Sequence, residues 1–399
     1  MKTRILKSIG SVLPAQWNAL DPGGSPFLRH EFLAALEREG CVGAGKGWIG
    51  NHLVLEDDAG KIHGAMPLYL KSHSWGEFVF DWSWAKAYSQ SRLAYYPKLV
   101  SMTPFTPATG PRLLVAPGCD ELRVRQMLSA ALIEHAHSHS LSSAHVLFIC
   151  DADREPLNDG QFIWRKDCQF HWHNRGYSSF DQFMATFRSD KRKKALRERR
   201  RIQEGGVRFL TLSGMQMSPE LWEVVFGFSA ATFESHGHEH YLTAEFFKSI
   251  SASLPDLIMV KLAVLQDQPI AAAIFFKSKD ALYGRYWGAA ANFDSLHFET
   301  CYYQGIEYCI EHGLARFEPG TQGEHKVARG FEPATTWSAH WIADPRFRRA
   351  IDDYLAQERA AVDQYIVSMQ EHVPFHRDRS SPDHPGTTPA APPPIGKDE

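Results

Sequence analysis

The chain has 399 residues, 44% hydrophobic and 12% aromatic, with 43 Lys and Arg against 46 Asp and Glu for a net charge of -3. That length supports a sizeable core and favours two domains, while a charge so close to balance excludes a global pull towards nucleic acid or anionic membrane and leaves only local patches for such contacts. Six scattered cysteines without a CxxC pair, no charged-then-apolar leader and no apolar run near the roughly 20 residues of a spanning helix predict a cytoplasmic protein with reduced thiols and no stable membrane insertion.

Gly43 to Gly47, GAGKG, lacks the P-loop spacing and the hydroxyl after its lysine, so it predicts a loop. A faint internal repeat follows. LVLEDDAGKIHGAMPLYLKS from Leu53 and LAVLQDQPIAAAIFFKS from Leu262 each read as strand, polar hairpin, strand with small residues and a Lys-Ser exit. Each then runs into an aromatic strand, GEFVFDWSW in the first half and ALYGRYWG in the second. A later helix and strand complete each half: Leu122 to His139 with His145 to Ile149, and their counterparts near residue 300. This predicts two similar α/β domains in tandem, 1–175 and 176–375, rather than one large sheet.

At the junction Ser179 caps, Gln182 closes a capping box and Gly205-Gly206 ends a single long helix. Between Arg188 and Arg201 nine positions are Lys or Arg, against Asp190 and Glu198. They fall all around the helix, and such a field is best neutralised by phosphate, as in RNA or a nucleotide-linked substrate, with Lys194 and Arg197 among the contacts. His236, His238 and His240, like His135, His137 and His139, lack an acid or cysteine at zinc spacing, so no metal site is expected.

The richest segment runs from Leu282 to Phe331. A β-rich stretch, Leu282 to Trp287, leads to a predicted helix over Phe298–His312 closed by Gly313. A short strand, Leu314 to Phe317, then delivers Glu318, Pro319 and Gly320 into a loop holding Gly323, Glu324, His325, Lys326 and Arg329. Two acids, an imidazole and two cations in a glycine-bearing loop mark a candidate active site, because glycines let backbone amides approach a ligand. Cys301 reads as packing rather than nucleophile. A final helix spans about Pro345–Glu371, with Phe347, Ile351, Tyr354, Leu355, Val362 and Ile366 on one side, and the Pro-, Ser- and Asp-rich stretch 376–399 reads as a disordered tail.

GRYWG from Gly284, LHFETCYYQGIEYCI from Leu296 and FEPGTQGEHKVARGF from Phe317, with YYPKL at Tyr95, PFTPATGPRLL at Pro104, SSAHVLF at Ser142 and QFHWHNRGY at Gln169, resemble the FemAB-like predicted N-acyltransferases of the GNAT superfamily. The resemblance reaches to about Pro374. It implies an α/β fold of α+β type, two tandem GNAT-like acyltransferase domains with mixed, largely antiparallel sheets. The better-known Fem relatives move amino acids from aminoacyl-tRNA to cell-wall precursors, which implies an amine acceptor and tRNA as a partner.

Acyl transfer to an amine needs a neutral nucleophile, a held donor carbonyl and a stabilised oxyanion. Glu318 or Glu324 is the candidate base, with His325 behind them; Lys326 and Arg329 are candidates to hold an oxyanion or phosphate. Arg285, Tyr286 and Trp287 are candidate pocket walls, Gly320 and Gly323 candidate backbone contacts, and Gly110, Pro111 and Arg112 are expected to face the same cleft from the first half. No permanent cofactor is expected. The Q/R-x-x-G-x-G/A loop by which many GNAT enzymes hold acyl-CoA is absent, and together with the basic helix this favours aminoacyl-tRNA while leaving acyl-CoA open. An RNA-binding protein that has kept the fold without the reaction is the alternative.

Overall fold

The computed structural model describes residues 1–376 apart from Pro22, Asn292 and Gln322, so the tail expected from 376 lies, past its first residue, outside the described residues. Among the described residues fifteen strands form: β1 (Lys2–Leu6), β2 (Trp48–Gly50), β3 (His52–Glu56), β4 (Ile62–Met66), β5 (Tyr69–Lys71), β6 (Lys98–Ser101), β7 (Leu114–Val115), β8 (Ser143–Val146), β9 (Ile163–His173), β10 (Arg208–Ser213), β11 (Ile258–Leu265), β12 (Gln268–Lys277), β13 (Ala281–Ala289), β14 (Arg316–Glu318) and β15 (Glu332–Ile342). Both repeated hairpins form as expected, β3 with β4 and β11 with β12, each antiparallel.

The sheets of the two halves do not stay separate, as the repeat had suggested. Eleven strands join in the order β10-β11-β12-β13-β14-β9-β15-β8-β6-β5-β2, beside a four-stranded sheet β1-β3-β4-β7. The join is a crossing of long strands. β9, from the first half of the sequence, pairs with β14 and β15, and β15 pairs in turn with β8 of the first half. The core crosses too, since Phe27 meets Phe276 and Tyr283 edge to face at 5.4 and 5.0 Å. The C-terminal helix, Pro345–Glu371, lies over this join, burying Ile351 and Leu355 and clamping β9 through Arg165 to Glu358.

Two other expectations are corrected. GEFVFDWSW is a loop followed by a helix, Trp82–Gln90, because Glu77 and Asp81 turn inward to the buried Lys98 ammonium instead of alternating across a sheet. The next strand after this loop and helix is β6. The basic segment is two helices, Phe180–Ala185 and Ser189–Glu204, because the buried Phe187 pairs with Phe375 and the Arg188 amide donates to Pro374 O.

The repeat places a parallel strand pair in each half, β6 with β8 and β13 with β14. Beyond β6 the first pair stays closed: the Leu147 amide donates to Ser101 O, Gly110 to Phe148 O and Cys150 to Gly110 O. The second opens. β13 and β14 pair only through Ala281↔Arg316, Leu282↔Phe317 and Tyr283↔Glu318, after which Pro319 ends β14 while β13 runs on to Ala289.

Candidate active site

A cavity of about 270 Å³ lies where β13 and β14 part. On its other edge β13 carries one extra residue against β12, so that Ile274 opposes Tyr286 and Phe275 opposes Gly284, with Arg285 at the bulge. Arg285 and Trp287 therefore reach the cavity from the strand, Pro319, Gly320 and Thr321 from the turn after β14, and His325 and Lys326 from a 3₁₀ segment, Glu324–Arg329. Gly320 and Gly323 have φ of 100° and 112°, and a Cβ on Gly323 would meet the His325 ring at 2.3 Å.

The opposite wall is one helix with an irregular centre, Leu296–Phe298, a π turn over Glu299–Tyr303, then Gln304–Glu311. The predicted helix therefore exists, but its wider turn divides the side chains differently. His297, Cys301 and Tyr302 face the cavity. Glu299 and Tyr303 face the basic helix, where Arg199 donates to Glu299 and, at 2.7 Å, to Glu307, and Tyr303 Oη donates to Glu198 at 2.8 Å.

Lys326 is 2% exposed, and its Nζ donates to Gly320 O at 2.7 Å. Among the described residues it has no carboxylate partner, and burial brings its ammonium down from 10.5 to about 7. Tyr302 Oη and His325 Nε2 lie 2.8 Å apart. Loss of water and the neighbouring Lys326 and Arg329 charges hold the His325 imidazole below its ordinary value, while burial takes His297 down to about 4. Burial pushes the Cys301 thiol well up, so it stays protonated, in keeping with packing rather than attack.

Tyr286 also lines the cavity, as expected of a pocket wall, and the remaining sequence-predicted residues lie outside its lining. Glu324 is exposed and accepts from Tyr365 Oη at 3.0 Å. Arg329 donates to His325 O and Glu198, at 2.7 and 2.8 Å, and lies 3.3 Å over the Phe298 ring. Glu318 is buried beside β13, accepting from Arg316 at 2.8 Å with its other oxygen unpartnered; burial raises its carboxyl. Arg112 does not face the cleft. Its guanidinium is buried among the carbonyls of Ala108, Pro111 and Leu147, inside the closed counterpart of the open strand pair. Lys194 and Arg197 are exposed on the basic helix.

The FemAB-like family model, described as peptidoglycan biosynthesis/recognition, matches residues 8–377. The chain belongs to the FemAB-like family. It is accordingly a transferase of acyl or aminoacyl groups, and its sheets are the mixed, largely antiparallel ones expected. Among solved structures, FemX is 11% identical, with 88% of this chain and 100% of that chain covered at a TM-score of 0.53. L-PGS from Bacillus licheniformis is 9% identical, with 87% and 96% covered at 0.53. The C-terminal domain of a putative lysylphosphatidylglycerol synthetase from Agrobacterium fabrum is 9% identical, with 85% and 97% covered at 0.52. These three structures share the fold of this chain. No curated protein matches the sequence. Among the described residues no helix is long and apolar enough to cross a membrane.

His297 and Tyr302 are the site residues that sequence reasoning missed. At a spacing of five they do not share a face of a regular helix, and the π turn is what brings their rings within 5.3 Å.

Proposed function

We propose that this FemAB-like enzyme joins an acyl or aminoacyl group to an amine of a cell-wall precursor in the cleft between β13 and β14, with Lys326 as the group that moves the proton. The observation that carries this reading is the buried Lys326 amine, held to one carbonyl and lining the cleft with no carboxylate beside it. Past Tyr283 the edge of β13 has no strand against it among the described residues, so its backbone groups are free to hold the amide-bearing portion of a donor as an added strand.

The chemistry follows from the position of Lys326. An acceptor ammonium entering the cleft gives its proton to neutral Lys326, and the resulting free amine attacks the donor carbonyl. Lys326, now an ammonium, stands beside the developing oxyanion and stabilises it. Collapse breaks the bond from the carbonyl carbon to the donor's oxygen or sulfur. The proton lost by the new amide nitrogen passes to that leaving group through His325 and Tyr302. His325, uncharged at neutral pH, can accept and return it.

The donor in this proposal is aminoacyl-tRNA. Arg192, Lys193, Lys194, Arg197 and Arg200 are exposed and without an ion-pair partner among the described residues, while Glu198 and Arg199 tie the same helix to the cavity wall. These cations form a phosphate-binding face next to the site. In this proposal the reaction takes place in the cytoplasm, and two GNAT-like units divide near residue 175. Incubating the protein with aminoacyl-tRNA or acyl-CoA and an amine-bearing muropeptide precursor, with amide products read by mass spectrometry, tests this. Product from aminoacyl-tRNA that disappears in Lys326→Ala is expected; product from acyl-CoA alone overturns the donor, and full activity in Lys326→Ala overturns the site.

A further inference from the structure

Away from the cleft, the loop over residues 72–81 and the helix after it present aromatic rings to water. Trp75, Phe80 and Trp82 are 46%, 50% and 39% exposed, and the two indoles meet edge to face at 5.3 Å. Exposed rings clustered on one segment are unusual for a surface that stays in water. They are also held firmly. Lys71 Nζ donates to Trp75 O at 3.1 Å, Lys98 Nζ donates to Glu77 at 2.8 Å and pairs with Asp81, and Tyr95 Oη donates to Asp81 at 2.5 Å. The acids of the loop therefore point inward and the rings outward.

The helix Trp82–Gln90 continues the pattern. Trp84 and Tyr88 are buried, while Trp82, Lys86 and Ser89 stand exposed at helical spacing on the other side, followed by exposed Arg92 and Leu93. From Trp82 to Cys119 the sequence contains no Asp or Glu. The exposed surface of the helix is thus aromatic and cationic, although the chain as a whole is slightly acidic. Aromatic rings beside Lys and Arg match the interface of a bilayer with anionic headgroups, where rings settle at headgroup level and cations meet phosphate.

We propose that this loop and helix are a peripheral membrane-docking surface, with Trp75, Phe80 and Trp82 seated among the headgroups of an anionic bilayer and Lys86 and Arg92 paired to their phosphates. The same loop leads towards the cleft: Phe78 packs on Tyr241, Tyr241 stacks on Phe105 at 5.0 Å, and Arg285 donates to Phe105 O. A docked loop would thus sit at one end of a run of contacts that ends at the cleft, suiting an acceptor amine carried on a lipid-anchored molecule. That last step rests on the transferase reading; docking itself does not, and is measured without turnover.

The test is co-sedimentation of the full chain with vesicles of phosphatidylcholine, and with vesicles of equal parts phosphatidylcholine and phosphatidylglycerol. Expected are binding to the mixed vesicles at least about tenfold tighter than to the neutral ones, loss of binding in Trp75→Ser/Phe80→Ser/Trp82→Ser, loss of the anionic preference in Lys86→Glu/Arg92→Glu, and no change in Met215→Ser, an exposed apolar site elsewhere. Should the triple variant fail to fold, quenching of wild-type tryptophan fluorescence by brominated lipid, reduced in Trp82→Phe, reads the same contact. No binding to either vesicle, or equal binding by wild type and the ring or charge variants, overturns the proposal. Self-association through these rings without vesicle binding overturns it in favour of a protein interface.

Discussion

Lys326 and Glu324 are two residues apart, and their surroundings set them very different tasks. Lys326 is enclosed at the cavity and Glu324 stands in water beside Tyr365. Lys326→Ala is expected to lower transfer by about 10²-fold or more, whereas Glu324→Gln should keep most of it, read as initial rates at saturating donor; the reverse order would move the proton-transfer role to Glu324. Lys326 also has a signature in stability. Folding lowers its ammonium from 10.5 to about 7, so between those values the unfolded chain binds more protons than the folded one, and the destabilisation is greatest at and below pH 7 and relieved as pH rises towards the unfolded value. Lys326→Met should therefore raise Tm more at pH 6 than at pH 9.5. An equal gain at both pH values would mean that the amine stays charged in the folded protein.

At the scale of elements, the basic helix divides its labour between two faces. Its inner face is structural, with Glu198 holding Tyr303 and Arg329 and Arg199 spanning Glu299 and Glu307. Its outer face is free to meet phosphate. Replacing Lys193, Lys194, Arg197 and Arg200 by Gln should weaken tRNA binding and flatten its dependence on salt, because fewer counterions are released, while stability stays within about 0.5 kcal/mol. An unchanged salt slope would leave this face as a solubilising surface. The glycine loop predicts a different failure: Gly323→Ala, strained at φ 112° and driven against His325, should displace the imidazole and lower turnover while the circular dichroism spectrum stays native. Wild-type turnover would show that His325 is not positioned by this turn.

Across the whole molecule, the sequence carried some levels of organisation and hid others for physical reasons. Hairpins, caps and the C-terminal helix are local, and the polar turn at Gln266 and Asp267, the Ser179 cap and the span Pro345–Glu371 were all readable from spacing. The loop bearing Lys326 was legible as a candidate site because its glycines and charges are contiguous. The pairing of β9 with β14 and β15 was not, since nothing within a strand's own alternation names a partner about 150 residues away. Nor did the sequence distinguish a carboxylate that stands in water from one buried by the sheet, which is why Glu324 and Glu318 looked alike. The crossed strands predict that residues 1–175 and 176–376 expressed separately will each lack a cooperative thermal transition, because each would expose one of the paired strands β9 and β15. A sharp transition in either fragment would establish an independent domain.

The most direct test of Lys326 as the proton-moving group is the pH dependence of kcat/KM for amide formation in wild type and Lys326→Arg. The wild-type profile should have an ascending limb near pH 7 as the amine loses its proton, and Lys326→Arg, which cannot lose one in this range, should retain little activity and no such limb. An identical limb in both proteins would contradict it.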